Sequence, residues 1–277
     1  MSSRSRDEGD LRHFKHKKVL VTGAASGLGR IFCESLVKEG ATVFAIDRDE
    51  AGLRQTRATC EDHREGNIFI HVVDLLDEPA VDKLPSLWPE IDFLILNAGV
   101  VYGGEFVKVP VSQHRLTYRV NVEACVQLTH LYLPILQKKP EAHLLFMASA
   151  TGLCGVPYGA TYASSKWAVV GFAESLRQEF RVQKVKNLKM TIVCPSTIDT
   201  GMFEGTRPPL LMPILAPEKV VKMALRAVKR NQVYVYAPLF VQFVPFLKGI
   251  LPQRIFDWLS DRLGVSMALR SWVGRAG

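Results

Sequence analysis

Short apolar runs alternate with amphipathic segments along most of the chain, and this alternation limits the fold more than any other feature. Runs such as D-F-L-I-L-N-A-G (92–99) are almost continuously apolar, as is typical of strands covered by helices on both faces. Strict strand–helix alternation predicts a single α/β domain with a parallel, doubly wound sheet. The predicted strands are 17–22, 41–47, 67–74, 92–99, 143–149, 188–195 and 232–236, and the predicted helices are 30–39, 49–65, 77–87, 112–138, 159–183 and 217–230.

Charge and cysteine content narrow the class of protein. The formal net charge is +8, but Lys and Arg are spread from end to end, which is typical of a solvated surface and argues against nucleic-acid binding. Such a surface still attracts anionic cofactors and membrane headgroups. The five cysteines are scattered without a C-x-x-C pair, and the histidines form no metal-binding cluster. We therefore expect reduced thiols, a cytoplasmic location and no metal.

The two ends of the chain differ from the region between them. Residues 1–16 are polar and basic and lack the apolar stretch of a signal peptide, so we predict a mobile arm on a protein that is not secreted. Residues 17–236 contain the strand–helix alternation. Residues 237–277 form an apolar and amphipathic extension, which prolines interrupt well short of the roughly 20 apolar residues that span a bilayer.

Two interpretations of this extension stay open. It is either a lid over a substrate pocket or a dimer surface, or it lies in a membrane interface with Arg254, Arg262 and Arg270 near the headgroups. Peripheral membrane association is therefore one hypothesis for the location of the protein.

A glycine-rich turn, T-G-A-A-S-G-L-G (22–29), follows the first predicted strand and opens a helix. Gly23 can take the sharp bend, while Gly27 and Gly29 let the backbone approach a pyrophosphate and let the helix pack on the sheet. The helix start offers unpaired N–H groups and a positive dipole end to phosphates. A turn that merely contains three glycines is the alternative.

Asp47 ends the second predicted strand, 18 residues after Gly29. A carboxylate there can hydrogen-bond the adenosine ribose and would repel a 2′-phosphate, which favours NAD(H) over NADP(H). The adjacent Arg48 can accept a phosphate, so NADP(H) remains an alternative. A structural alternative for Asp47 is a helix N-cap.

The segment Y-A-S-S-K (162–166) lies on a predicted helix, where Tyr162 and Lys166 share one face. A nearby ammonium is expected to lower the pKa of the phenol and so suit it to general acid–base catalysis. Ser149 ends the fifth predicted strand and can hydrogen-bond the same substrate oxygen. Taken alone, a Y-x-x-x-K pattern on a helix is common and usually has no catalytic meaning.

Together these motifs resemble the classical short-chain dehydrogenase/reductase superfamily over about 22–236. The family's cofactor loop corresponds to residues 22–29, its N-A-G turn to 97–99 and its catalytic trio to Ser149, Tyr162 and Lys166. The family's Pro-Gly after the sixth strand is Pro195-Ser196 here, a small departure. The cofactor-binding residues that the resemblance implies are Gly23, Ser26, Gly27, Leu28, Gly29, Asp47, Arg48, Asp74, Leu75, Asn97, Ala98, Gly99, Tyr162, Lys166, Pro195, Thr197 and Thr200.

The resemblance also implies a seven-stranded Rossmann sheet and a role for each catalytic residue. Tyr162 would be the acid/base, Lys166 would lower its pKa and hold the ribose, and Ser149 would steady the developing alkoxide. Asn121 would hold a water that links Lys166 to solvent. The structural alternatives are a buried hydrogen-bonding residue for Asn121, a strand-end turn for Ser149 and a helix cap for Asp74.

Two stretches resemble the retinol and 17β-hydroxysteroid dehydrogenase-like branch of the superfamily. They are D-T-G-M-F-E-G (199–205) and the extension 237–277, also called the tail below, which contains W-V-G-R near its end. Members of this branch act on lipophilic alcohols and ketones. Residues 1–16 contain no apolar stretch like the amino-terminal anchor of the branch's membrane-bound members, so we expect a relative of bacterial type. We expect the substrate pocket to be built from 150–160, 196–216 and the tail.

The leading hypothesis is an NAD-dependent oxidoreductase that interconverts a lipophilic alcohol and its aldehyde or ketone. An NADPH-dependent reductase of ketones or 3-oxoacyl substrates is the alternative enzyme. A cofactor-binding scaffold or sensor without turnover is the alternative of another class. By resemblance, the long helices 112–138 and 159–183 predict a homodimer or homotetramer.

Overall fold

A computed structural model of the chain describes residues 13–63, 65–206, 208–210, 212–270 and 272. These residues form a seven-stranded parallel sheet in the order β3-β2-β1-β4-β5-β6-β7, which confirms the predicted doubly wound architecture. The order in which the chain adds strands reverses between the neighbouring strands β1 and β4. Folds of this type open a crevice at that place, at the carboxyl ends of the strands. The strands are β1 (Lys18–Thr22), β2 (Thr42–Asp47), β3 (Asn67–Val72), β4 (Phe93–Leu96), β5 (Ala142–Met147), β6 (Leu188–Pro195) and β7 (Tyr234–Ala237).

Helices connect successive strands and cover both faces of the sheet. The α-helices are α1 (Gly27–Lys38), α2 (Glu50–Glu61), α3 (Glu78–Asp82), α4 (Leu84–Leu87), α5 (Val111–Tyr118), α6 (Ala124–Leu136), α7 (Ala160–Val182), α8 (Pro217–Lys229), α9 (Val244–Ile250) and α10 (Gln253–Arg262). Single 3₁₀ turns occupy Phe106–Lys108, Ala150–Gly152 and Val265–Met267, and a longer one, Leu239–Phe243, leads into α9.

Two of the predicted helices are interrupted. The segment predicted as one helix over 112–138 consists of α5 and α6 joined by a π-helical turn, Arg119–Glu123. The predicted helix 77–87 divides into α3 and α4, where Pro85 fits the first turn of α4 and not a helix interior.

The core lies in two layers, one on each face of the sheet. Alternate residues of a strand point to opposite faces, so Val19 and Val21 of β1 belong to one layer and Leu20 to the other. The first layer packs against α1, α2 and α8, and the second against α6 and α7. The central strands β4 and β5 are therefore buried on both sides, as the sequence predicted, whereas the edge strand β3 is partly exposed.

The end of the predicted mobile arm is packed against the domain. Phe14 is 1% exposed within the first core layer, and the backbone N–H of His16 donates to the carbonyl of Gly40 at 2.9 Å. Phe14 and His16, which belong to the predicted arm, therefore pack on the domain. The predicted arm over 1–12 lies outside the described residues.

The extension is partly packed and partly exposed. Val241, Val244 and Leu269 are buried, and a Cβ at Gly159 would lie 2.5 Å from Leu269, so the extension packs tightly against the start of α7. Among the described residues, no helix combines the length and apolar character needed to cross a bilayer.

Candidate active site

A cleft of about 570 Å³ opens at the carboxyl ends of the strands. It is the crevice that the strand order predicts, and residues distant in sequence line it together. The predicted site residues that line it are Gly23, Ser26, Gly27, Leu28, Asp47, Arg48, Asp74, Leu75, Asn97, Ala98, Gly99, Ser149, Tyr162, Lys166, Pro195 and Thr200.

Three predicted site residues do not line the cleft. Gly29 lies beneath the glycine-rich turn, where a Cβ would come within 1.9 Å of the Gly23 carbonyl oxygen. Thr197 is absent from the cleft lining, and its backbone carbonyl accepts from the N–H of Leu215 at 2.9 Å. Asn121 is buried behind the cleft floor.

The glycine-rich turn has the conformation that its glycines permit. Gly23 and Gly27 have φ angles of +67° and +52°, which L side chains rarely adopt. A Cβ at Gly23 would also lie 2.9 Å from the Ala98 Cα, so the turn can approach the loop after β4 only without a side chain. The turn leaves an open cradle in front of the first turn of α1, which suits the phosphates of a dinucleotide.

Thr22 and Asn97 hold this turn against the loop after β4. The Thr22 hydroxyl oxygen accepts from the backbone N–H groups of Asn97 and Ala98 at 3.0 and 2.9 Å. The Asn97 side-chain amide donates to the Thr22 carbonyl at 3.0 Å. The N-A-G turn predicted to lie below a nicotinamide is therefore rigidly tied to the phosphate cradle.

Asp47 ends β2 and Asp74 follows β3, and both line the cleft. Neither residue caps a helix. The Asp47 carboxylate accepts from the N–H groups of Ala25 and Asp49, each at 3.1 Å. Asp49 and Asp77 cap α2 and α3, so the helix-cap alternatives for Asp47 and Asp74 are wrong. Backbone donors thus fix the position of the Asp47 carboxylate in the cleft wall.

Ser149, Tyr162 and Lys166 meet at the inner end of the cleft. Each side chain is buried, at 4–5% exposure, yet each lines the cavity. The Lys166 ammonium donates to the Met147 carbonyl at 2.8 Å and lies 5.9 Å from the centre of the Tyr162 ring. Helix α7 presents Tyr162 and Lys166 on one face, as their spacing predicted, and Ser149 follows the end of β5.

Burial has the largest effect on the pKa values of Tyr162 and Lys166. It raises the pKa of Tyr162 to about 12, against the opposing effect of a hydrogen bond with Ser149. Burial also lowers the pKa of Lys166 to about 8. The expected lowering of the phenol pKa is thus corrected, because desolvation raises the pKa of Tyr162 and outweighs the lowering by the Ser149 hydrogen bond.

Asn121 occupies the π-helical turn and supports the loop after β4. Its amide oxygen accepts from the Val100 N–H at 2.8 Å, and its amide nitrogen donates to the Val100 carbonyl and the Ser165 hydroxyl, each at 3.0 Å. Gly99 separates it from Lys166, since a Cβ there would lie 3.3 Å from the Asn121 amide oxygen and 3.5 Å from the ammonium. Both the oxygen and the nitrogen of the Asn121 side-chain amide are therefore hydrogen-bonded to protein groups.

Apolar side chains complete the cleft, and sequence reasoning located only some of them. Met202 and Phe203 come from the predicted pocket segment 196–216, and Trp272 from the tail. The Trp272 indole N–H donates to the Met202 carbonyl at 3.0 Å, which holds the Trp272 side chain at the cleft. Tyr102 was missed; its position next to the N-A-G turn was the available signal.

A family model for short chain dehydrogenase matches residues 17–210. The chain is 34% identical to short-chain dehydrogenase/reductase family 16C member 6 of Bos taurus and to epidermal retinol dehydrogenase 2 of Mus musculus, over 93% of this chain and 83% and 85% of those proteins. It is 30% identical to estradiol 17-beta-dehydrogenase 11 of Homo sapiens, over 89% of this chain and 83% of that protein.

Solved structures show the same fold. A short-chain dehydrogenase/reductase from Burkholderia phymatum in complex with NAD superimposes with a TM-score of 0.77 at 22% identity, over 85% of this chain and 94% of that one. A short-chain dehydrogenase from Burkholderia cenocepacia in complex with NADP gives a TM-score of 0.74 at 23% identity, over 90% and 98%.

With its crossover at the cleft, its glycine cradle and its Ser-Tyr-Lys trio, the chain belongs to the short-chain dehydrogenase family. Within the family it lies in the branch that contains the retinol dehydrogenases and the 17β-hydroxysteroid dehydrogenase-like proteins.

Proposed function

We propose that this chain is an NAD(P)-dependent oxidoreductase that interconverts a lipophilic alcohol and its aldehyde or ketone. The observation that carries the proposal is the meeting of Ser149, Tyr162 and Lys166 at one end of a cleft whose other end is the glycine cradle. A nicotinamide dinucleotide bound along this cleft supplies the hydride acceptor or donor.

Each side chain of the trio has a separate role in the proposed reaction. Tyr162 transfers a proton to or from the substrate oxygen, and Ser149 hydrogen-bonds the same oxygen as its charge develops. Lys166 places a positive charge beside the phenol and favours its deprotonated form when an alcohol is oxidised. The Met147 carbonyl, 2.8 Å from the ammonium, holds this charge in place.

NAD(H) is the proposed preference over NADP(H). The Asp47 carboxylate, held by two backbone N–H groups, lines the cleft where an adenosine ribose would lie. A fixed negative charge accepts hydrogen bonds from a ribose diol and repels a 2′-phosphate. Arg48 lines the same end of the cleft and is the observation that favours NADP(H) as the alternative.

The proposed substrate is lipophilic because the reaction end of the cleft is walled by apolar side chains. The Phe203 ring stands edge-on to Tyr162, with centroids 5.9 Å apart, and Tyr102, Met202 and Trp272 line the same space. Retinol and estradiol appear in the names of similar proteins, which supports this class of alcohol.

The extension also supports a proposed peripheral contact with membranes. Leu239, Phe243, Phe246 and Ile250 recur at helical spacing, and each is 49–68% exposed. Together with Trp258, which is 57% exposed and has Arg262 over its ring, they suit an interface of apolar chains and anionic headgroups. Assembly into a homodimer or homotetramer stays a prediction.

The test of the proposed function is a screen of the purified protein for NADH fluorescence across retinoids, steroids and long-chain alcohols. We expect turnover of at least one of these classes, with NADH formed in the oxidation direction. Parallel assays with 3-oxoacyl substrates and NADPH distinguish the alternative reductase. Tight cofactor binding without turnover in any assay would favour a scaffold or sensor and contradict the proposal.

A further inference from the structure

A second cavity, of about 460 Å³, lies beside the cleft. We call it the side cavity; its wall includes the loop after β4, the start of α7 and the tail. Its volume falls in the range of pockets that hold small organic ligands. The residues used below are Tyr102, Phe106, Val109, Tyr158, Thr161 and Met267.

Three polar side chains of the side cavity, His114, Thr161 and Glu105, are already paired with protein groups. The His114 ring nitrogens lie 3.1 Å from the Phe106 carbonyl oxygen and 2.6 Å from the Thr161 hydroxyl. Because a carbonyl only accepts, Nε2 carries the proton and Nδ1 accepts from the hydroxyl. Glu105 pairs with Lys108 at 2.9 Å. The remaining wall is largely apolar and aromatic, and such a surface favours an apolar ligand.

Tyr102 connects the side cavity to the cleft, since it lines both. Its ring lies 6.4 Å from that of Trp272, which packs on the backbone at Gly103, 3.1 Å from where a Cβ would stand. Tyr102 therefore forms part of the wall of both spaces, and the side cavity adjoins the cleft that contains Tyr162.

We propose that the side cavity holds the distal apolar part of the substrate while its hydroxyl carbon lies at Tyr162. The substrate class is then an alcohol with an extended apolar chain, and the tail residue Met267 contributes to chain-length selection. This inference rests on the proposed function, because it places the reacting end of the same molecule in the cleft.

A series of straight-chain alcohols tests the inference. For the wild type, kcat/KM with NAD⁺ should rise by about fourfold for each added methylene from butanol to decanol, as expected when each methylene is buried. The same alcohols, without turnover, should raise the Tm of the protein by amounts that grow with chain length.

Val109→Trp fills the side cavity and is the informative variant. We expect it to lower kcat/KM for decanol by about tenfold or more while affecting butanol far less. Its control is Val107→Trp, since Val107 is 88% exposed and not among the residues that line the side cavity. Met267→Trp serves as a second filling variant if Val109→Trp unfolds at a lower temperature than the wild type.

Each outcome decides between the two claims. Loss of long-chain selectivity in the filling variants, with Val107→Trp unchanged, supports the side cavity as the distal site. Equal loss for butanol and decanol, or no loss, would overturn it while leaving the proposed function standing. Absence of NADH formation with every alcohol would count against the proposed function itself, whereas chain-length-dependent Tm shifts that the filling variants lose and Val107→Trp keeps would still report binding in the side cavity.

Discussion

At Tyr162 and Lys166, burial and charge act against each other. Burial holds the phenol in its protonated form and makes the ammonium release its proton more easily. A protonated phenol is the form that donates to a carbonyl oxygen during reduction. In the proposed oxidation the reactive form is the phenolate, and we propose that the charge of Lys166 favours it despite the cost of burying that charge.

Lys166→Met tests this cost through the pH dependence of stability. Between pH 8 and 10.5 the unfolded chain keeps the lysine proton that the folded chain has released. Unfolding then takes up a proton, so the free energy of unfolding of the wild type rises with pH in this window. The penalty is fully present below pH 8 and is lost toward pH 10.5. We expect the Tm of the wild type, relative to the variant, to rise across the window; a constant difference would contradict the lowered pKa.

Asp47→Ser tests cofactor choice at a single carboxylate. Removing the charge eliminates both the ribose hydrogen bond and the repulsion of a 2′-phosphate. The ratio of kcat/KM with NADP⁺ to that with NAD⁺ should increase by about tenfold or more, equivalent to about 1.4 kcal/mol. Asp49→Ser is the matched control, because Asp49 caps α2 and lines the same end of the cleft. An equal ratio in the wild type and the Asp47 variant would show that this carboxylate does not discriminate.

Among the elements, the segment 239–250 stands out for its exposed apolar face. Its inner residues Val241 and Val244 are buried, while Phe243 and Phe246 on the outside are 49% and 63% exposed. One face therefore holds the segment to the domain and the other is available for a membrane interface.

The double variant Phe243→Ser/Phe246→Ser tests this face. Burial of two aromatic rings among lipid chains contributes several kcal/mol, roughly 1.5–3 for each side chain. We expect the wild type to co-sediment with vesicles that contain anionic lipid and the variant to remain largely in solution. Val182→Ser, which changes an exposed apolar residue at the end of α7, should bind like the wild type. Equal sedimentation of all three proteins would exclude this face as the contact.

Sequence patterns predicted most elements because strands that are buried on both faces consist almost entirely of apolar residues. They did not predict the π-helical turn at 119–123, because inserting one residue into a helical turn barely alters the spacing of apolar residues. Sequence patterns also did not predict the break at Pro85, because its position in the first turn of α4 depends on where α3 ends.

At the scale of the whole molecule, the strand order assembles the site. Residues from Gly23 to Trp272 meet in one cleft because the carboxyl ends of parallel strands lie along one edge. Local motifs predicted the glycine cradle and the Tyr162–Lys166 pair because their residues lie close together in sequence. Tyr102, the packing of Phe14 and the raised pKa of Tyr162 depend on long-range burial, which no short motif encodes.

The most direct test of the account is hydride transfer by Tyr162→Phe, measured by NADH fluorescence in a single turnover with an alcohol that the wild type oxidises. The phenyl ring fills the same buried space, so NADH should bind with unchanged affinity. The rate of hydride transfer should fall by roughly a hundredfold to ten-thousandfold, the usual contribution of general acid–base catalysis. A variant that binds NADH and transfers hydride at nearly the wild-type rate would contradict the assignment of Tyr162 as the proton-transferring group.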